Sequence, residues 1–138
     1  DRFQASVVER AVLDWRQMMG SDIPLIVGQQ WFARFPWQDP ESYAARSSIT
    51  LVDRVKTPVL VIHNQEDYRV PIGQALDYYG SLKAARKTAR LAVFPNSSHG
   101  MSRDGTPEQR VARLKLIVEW MDRWLKPAGS TASTPRAP

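Results

Sequence analysis

TPVLVIHNQEDYRVP, residues 57–71, is the stretch from which the fold can be read. It opens with an unbroken apolar, largely β-branched run, Val59 to Ile62. A strand with one wet face alternates between apolar and polar residues. A strand covered on both faces, as in a parallel sheet, does not. TPVLVIHN (57–64) therefore reads as a buried parallel strand that delivers the polar loop HNQEDYRVP (63–71).

Working outward, PIGQALDYYGSLKAAR (71–86) has the spacing of an amphipathic helix, with Ile72, Ala75, Leu76, Tyr79 and Leu82 on its inner stripe. ARLAVFP (89–95) is a second buried strand, and PNSSHGMS (95–102) is the loop that follows it. TPEQRVARLKLIVEWMDRWLK (106–126) reads as a long helix. Thr106 and Gln109 have capping-box spacing, and Pro107 suits the first turn. Its expected apolar face is Val111, Leu114, Ile117, Val118, Met121, Trp124 and Leu125.

Upstream, ASVV (5–8) suggests a short strand, and AVLDWRQMM (11–19) has helical spacing. An irregular segment then crowds Trp31, Phe32, Phe35, Trp37 and Tyr43 into 13 positions. DPESYAAR (39–46) follows as a short helix, with Asp39 as N-cap and Pro40 in the first turn. The alternation of strands and helices implies an α/β domain with a parallel sheet and right-handed crossovers. Ligands of such sheets bind beyond the C-terminal ends of the strands, so the loops after Ile62 and Phe94 are the places for chemistry.

Composition narrows the classes. The chain has 138 residues, 43% of them apolar, enough for one domain with a core. No apolar run approaches the roughly 18 residues that span a bilayer. Without cysteine there are no disulfides, thiol nucleophiles or zinc–thiolate sites. The net charge of +5 comes from arginines and lysines interleaved with acids, which reads as a solvated surface rather than a nucleic-acid footprint. The two histidines, His63 and His99, fall in separate loops, a poor basis for a metal site. Residues 1–126 form the expected domain and 127–138, rich in Pro, Ser, Thr and Ala, a flexible tail.

The two loops carry complementary groups. One supplies Glu66 and Asp67, the other His99. A carboxylate that accepts from one imidazole nitrogen fixes the tautomer and leaves the other nitrogen free to take a proton from a hydroxyl nucleophile. Acid before histidine is also the chain order of α/β-hydrolases. His63, at the end of the strand, reads as structural.

Residues 57–126 resemble the C-terminal end of the serine peptidases of the prolyl oligopeptidase family, with the acylaminoacyl-peptidase-like branch as the nearest pattern. That pattern runs TP-LL-IHG-x-x-D-x-R-VP, helix, strand, FP-x-x-x-HG, long helix. DRFQASVVERAVLDW (1–15) and PWQDPESYAARSSIT (36–50) are similar to segments that the family carries between its serine and its aspartate. The resemblance implies the C-terminal portion of an α/β-hydrolase catalytic domain. It makes Asp67 the triad aspartate and His99 the triad histidine, 32 residues apart, with Glu66 a neighbour. Arg69 would contact a substrate carbonyl or acidic group, or else form a structural ion pair. Trp31, Phe32 and Phe35 would wall the P1 pocket, or else belong to the core. Asn64 stands where the family has glycine, a substitution expected to matter little because Asn tolerates left-handed backbone.

No G-x-S-x-G occurs in the chain. MMGSD (18–22), SSI (47–49) and SSHG (97–100) lack the paired glycines of a nucleophile elbow. The resemblance places the serine shortly before the segment that begins here as DRF. The expectation is therefore a piece of a larger or nicked enzyme, inactive alone. The serine elbow, oxyanion hole and β-propeller would come from a missing segment or a separate chain. The expected substrates are short, N-acylated or free peptides. No metal, cofactor, nucleic acid or membrane is implied, and homo-oligomerisation stays open. The expected compartment is the cytoplasm, with the periplasm as alternative. Two other readings stand beside this one: an ester-cleaving hydrolase of the carboxylesterase or dienelactone-hydrolase kind, and a non-catalytic remnant.

Overall fold

The computed structural model describes residues 2–126. Its spine is strand β2 (Val59–Asn64), flanked by β1 (Ser6–Glu9) and β3 (Ala89–Phe94) in a three-stranded, all-parallel sheet of order β1-β2-β3. All six residues of β2 are buried. Val59 and Val61 join Leu13, Val52, Ala75, Tyr78 and Leu82 on one face of the sheet. Leu60 and Ile62 join Phe94, Met101 and Trp120 on the other. The unbroken apolar run is thus the mark of a strand with a core on both sides. At about 1.5–3 kcal/mol for each fully buried aliphatic side chain, these four tie β2 into the core on both faces. β3, expected as a second buried strand, is an edge strand and only partly buried, because it has a partner strand on one side only.

Helix α2 (Gly73–Ala84) connects β2 to β3, and α4 (Pro107–Leu125) is the last helix of the described residues, following a single turn, α3 (Met101–Asp104). Thr106 and Gln109 form the expected capping box. Asp39 caps α1 (Pro40–Ala45) by accepting the Ser42 N–H.

Three further expectations need correction. First, residues 11–14 are not helical; only a tight 3-10 turn forms, at Trp15–Gly20. The cause is distant. The buried Gln74 side chain accepts from the N–H groups of Leu13 (2.9 Å) and Asp14 (2.7 Å) and donates to the Asp14 carbonyl (2.8 Å). That three-way grip from α2 holds the backbone at Leu13 and Asp14, where Asp14 is extended, φ −128° and ψ 110°. Second, the inner face of α2 is Gln74, Ala75, Tyr78 and Leu82, whereas Leu76 is exposed. Gln74 turns inward to make those bonds and rotates the stripe by about one position. Third, α4 rests on the sheet through Leu116, Ile117, Trp120 and Trp124. Val111, Leu114, Val118 and Leu125, expected inside, are about half exposed, at 50, 54, 56 and 52%. The helix carries two overlapping apolar stripes, and the one with the tryptophans takes the sheet.

The aromatic segment folds around a π-helical turn, Ile26–Trp31. Gly28 sits there because a Cβ would meet the Phe35 ring at 2.3 Å. Phe32 stacks on the buried Tyr43, centroid to centroid 3.9 Å, and Tyr43 donates to the Arg34 carbonyl at 2.8 Å.

Candidate active site

Parallel pairing in register, Asn64 beside Phe94, releases the two loops at the same edge of the sheet. The loops then bind each other. The Gln65 N–H donates to the Phe94 carbonyl at 2.9 Å, and the Glu66 N–H to the Ser97 carbonyl at 3.0 Å. Asn96 takes the left-handed conformation, φ 51°, and turns the second loop back. The Ser97 hydroxyl donates to the Phe94 carbonyl at 2.8 Å.

Of the two acids in the first loop, Asp67 is buried and Glu66 is exposed. One carboxylate oxygen of Asp67 accepts the Val70 N–H at 2.8 Å, which fixes the plane of the group. The other accepts from Nδ1 of His99, also at 2.8 Å. With the carboxylate as acceptor, the ring proton sits on Nδ1 and Nε2 is left bare. The Asp67 side chain has no exposed surface, while that of His99 is 36% exposed. This is a buried orienting acid behind a reachable base, the arrangement that acyl-transfer chemistry uses.

His63 lies behind the pair, buried, with Nε2 donating to the Val70 carbonyl at 2.8 Å and standing 3.7 Å from Asp67. Burial pushes its pKa below the ordinary histidine value. It holds the Asp67–Val70 turn in place, in keeping with a structural role.

A hollow of about 300 Å³ opens beside His99, lined also by Asp22, Glu66, Tyr68, Arg69 and Arg103 among others. Arg69 grips Asp22 through Nε (2.7 Å) and Nη2 (3.2 Å). That guanidinium holds the Asp22 carboxyl below the usual range. Arg69 is therefore at the hollow and in an ion pair at once. Trp31, Phe32 and Phe35 are not among the lining residues. Phe32 packs on Tyr43, and Phe35 stacks on Trp37 at 4.8 Å. A larger hollow, about 460 Å³, lies at the opposite end of the strands, against Phe3, Thr57 and Tyr78.

Three of the serines weighed as nucleophiles are committed elsewhere. The hydroxyls of Ser21, Ser47 and Ser97 donate to the local carbonyls of Met18, Tyr43 and Phe94. Ser98 accepts the Gly100 N–H. Among the described residues no hydroxyl bonds His99 Nε2, no cluster of three or more metal-ligating side chains occurs, and no helix is long and apolar enough to cross a membrane.

Three residues escape the reading from sequence. Asn64 is buried and does not use left-handed backbone; its Nδ2 donates to the Ser98 carbonyl at 2.6 Å, crossing from one loop to the other. Asp22 reaches the hollow from the far side of the chain. The Arg10 guanidinium donates to the carbonyl of His99 itself. Only Asn64, polar in place of glycine, left a local trace.

The model of the prolyl oligopeptidase family matches residues 1–128. The chain belongs to the prolyl oligopeptidase family. The prolyl oligopeptidase-family relatives include an uncharacterized peptidase, YuxL, of Bacillus subtilis, 36% identical over 126 residues that cover 91% of this chain and 19% of the relative. The human acylamino-acid-releasing enzyme is 34% identical over 114 residues, covering 74% of this chain and 15% of that enzyme. Among solved structures, an acylaminoacyl peptidase of Pyrococcus horikoshii superposes with a TM-score of 0.87 at 34% identity, over 96% of this chain and 22% of that one. The fold is accordingly part of an α/β-hydrolase, and the chain spans about a fifth of the length of the relatives it matches.

Proposed function

We propose that this chain supplies the acid and base of a serine peptidase centre that cleaves short, N-acylated or free peptides. The serine and the oxyanion donors come from polypeptide outside residues 1–138. The observation that carries the reading is the 2.8 Å bond from His99 Nδ1 to the buried Asp67, on adjacent strand ends of a chain in this family.

In this mechanism Nε2 of His99 takes the proton of the serine hydroxyl as its oxygen attacks the scissile carbonyl. The same proton passes to the leaving amine as the C–N bond breaks. Water then repeats the sequence on the acyl-enzyme, with His99 again base and then acid. Asp67 keeps the proton on Nδ1 and stabilises the imidazolium formed in each step. Arg69 binds a carbonyl or carboxylate of the substrate in the hollow, in exchange with Asp22. The apolar stripe of α4 (Val111, Leu114, Val118) and the free edge of β1 support a larger body packed against this one.

The test joins this chain to its serine-bearing part and follows hydrolysis of an acyl-peptide p-nitroanilide. His99→Ala is expected to lower kcat by at least about 10⁴-fold. A folded variant that stays within tenfold of the parent overturns the proposal. A p-nitrophenyl ester run in parallel separates peptidase from esterase: a kcat/KM preference for the ester alone favours the ester-cleaving alternative.

A further inference from the structure

Arg10 follows β1 and has a left-handed backbone, φ 49°. A residue with a Cβ adopts that conformation at a cost, and Gly or Asn would meet the geometry more easily. The Arg10 N–H donates to the Ile62 carbonyl at 3.1 Å, which pins its Cα at the end of the sheet. From there the guanidinium spans to the backbone carbonyl of His99, 89 residues away, with the side chain only 18% exposed. Its Nε, buried and without a hydrogen-bond partner, stands 3.8 Å from Glu9. Glu9 in turn holds Arg113 of α4 with both carboxylate oxygens.

The segment 98–100 is thereby held at each carbonyl by a different partner. Ser98 is held by Asn64, His99 by Arg10, and Gly100 by the N–H groups of Arg103 and Asp104. Asp67 fixes the His99 ring at one atom only. The direction in which Nε2 points also depends on the His99–Gly100 peptide plane behind the ring, which Arg10 holds at the carbonyl and the Ser98 hydroxyl holds at the Gly100 N–H.

We infer that Arg10 is a positioning residue for the reaction: strained at the end of β1, it orients the base through the His99 carbonyl. The inference rests on the peptidase reading. Arg10 does not line the hollow beside His99, so its effect falls on turnover and not on substrate binding. A displacement of about 1 Å at a reacting group costs up to about 100-fold in rate.

The experiment uses the enzyme assembled with its serine-bearing part and compares Arg10→Met, Arg10→Gln and Arg10→Lys with His99→Ala. Met has no donor, and Gln is too short to donate where the guanidinium does. Gln keeps a polar nitrogen beside Glu9 and serves where the Met variant does not fold. Lys reaches the carbonyl and keeps the charge. The expected result is a kcat about 10- to 100-fold lower in Arg10→Gln, with KM within about twofold and melting temperature within about 3 °C, and substantial recovery in Arg10→Lys. A kcat within twofold of the parent overturns the inference, as does a loss that appears in KM or that tracks a lowered melting temperature. If Arg10→Gln is active while His99→Ala is not, this inference fails alone; if His99→Ala is active, both readings fail.

Discussion

Asp67→Asn is the sharpest perturbation of the site, because it changes one atom and keeps the shape. The Asn carbonyl oxygen can still accept the Val70 N–H, now at 2.8 Å, so the turn after β2 keeps its anchor. The amide nitrogen then faces Nδ1 of His99, where the carboxylate oxygen stood at 2.8 Å. A donor opposite Nδ1 makes that nitrogen the acceptor and moves the ring proton to Nε2. The base is then blocked at the atom that must take the serine proton. The same exchange in a serine protease triad lowers kcat by about 10⁴, equivalent to about 5.4 kcal/mol of transition-state stabilisation at 1.36 kcal/mol per tenfold. Folding changes far less. Losing a charge-assisted hydrogen bond costs about 1.5–3 kcal/mol, and no longer having to bury a charge returns part of it. The assay is kcat and KM on an acyl-peptide anilide, with a thermal melt of the same sample. The reasoning is refuted by a folded Asp67→Asn enzyme whose kcat stays within tenfold of the parent.

Three further outcomes follow from the geometry. Asn64→Gly, which restores the residue usual in the family, removes the 2.6 Å bond to the Ser98 carbonyl and is expected to cost about 1–3 kcal/mol; an unchanged melting temperature would show that the two loops do not depend on it. Stability should fall with acid through His63. Its pKa is depressed in the fold, so below the ordinary value of about 6.5 the unfolded chain binds a proton that the folded chain refuses. The loss is at most about 1.4 kcal/mol per pH unit, and His63→Gln should flatten the slope of stability against pH between about 6.5 and 5. Gly28→Ala drives a methyl into the Phe35 ring, 2.3 Å away, and should destabilise by about 1–3 kcal/mol, read from denaturant midpoints.

What could be read from sequence is what local chemistry decides. The Thr106–Gln109 box lies within one turn of helix. The burial of β2 is a property of consecutive residues, and the loops of Asp67 and His99 follow directly from the strands that deliver them. What could not be read is decided by partners far along the chain. Gln74 grips the non-helical backbone at Leu13 and Asp14 from some sixty positions away. The same side chain turns inward from α2, so periodicity found the helix and Ala75 and Leu82 of its inner face, but not Gln74 and Tyr78. In α4 two stripes were apolar, and only packing against Leu60, Ile62 and Phe94 chose between them. Arg10 is the extreme case, an ordinary charged residue in sequence that meets the candidate base 89 positions later.

The site nevertheless rests on one quantity that sequence does carry, the register of β3 on β2. Asp67 and His99 each lie a few residues past the ends of paired strands, at Asn64 and Phe94. Loop lengths set how far each group reaches, but the ladder sets where both loops start. A slip of two residues along β3 would keep the same faces buried. It would also move the His99 loop by about 6.6 Å at 3.3 Å per residue, more than twice the 2.8 Å bond. The faces of β3 alone therefore do not protect the pair. The side-chain bonds between the loops help to: Asn64 to the Ser98 carbonyl and Arg10 to the His99 carbonyl each need a particular side chain opposite a particular carbonyl, whereas the main-chain bonds of Gln65 and Glu66 could re-form on other carbonyls after a slip. The polar residues that look dispensable around the pair are the ones that select the register in which His99 meets Asp67.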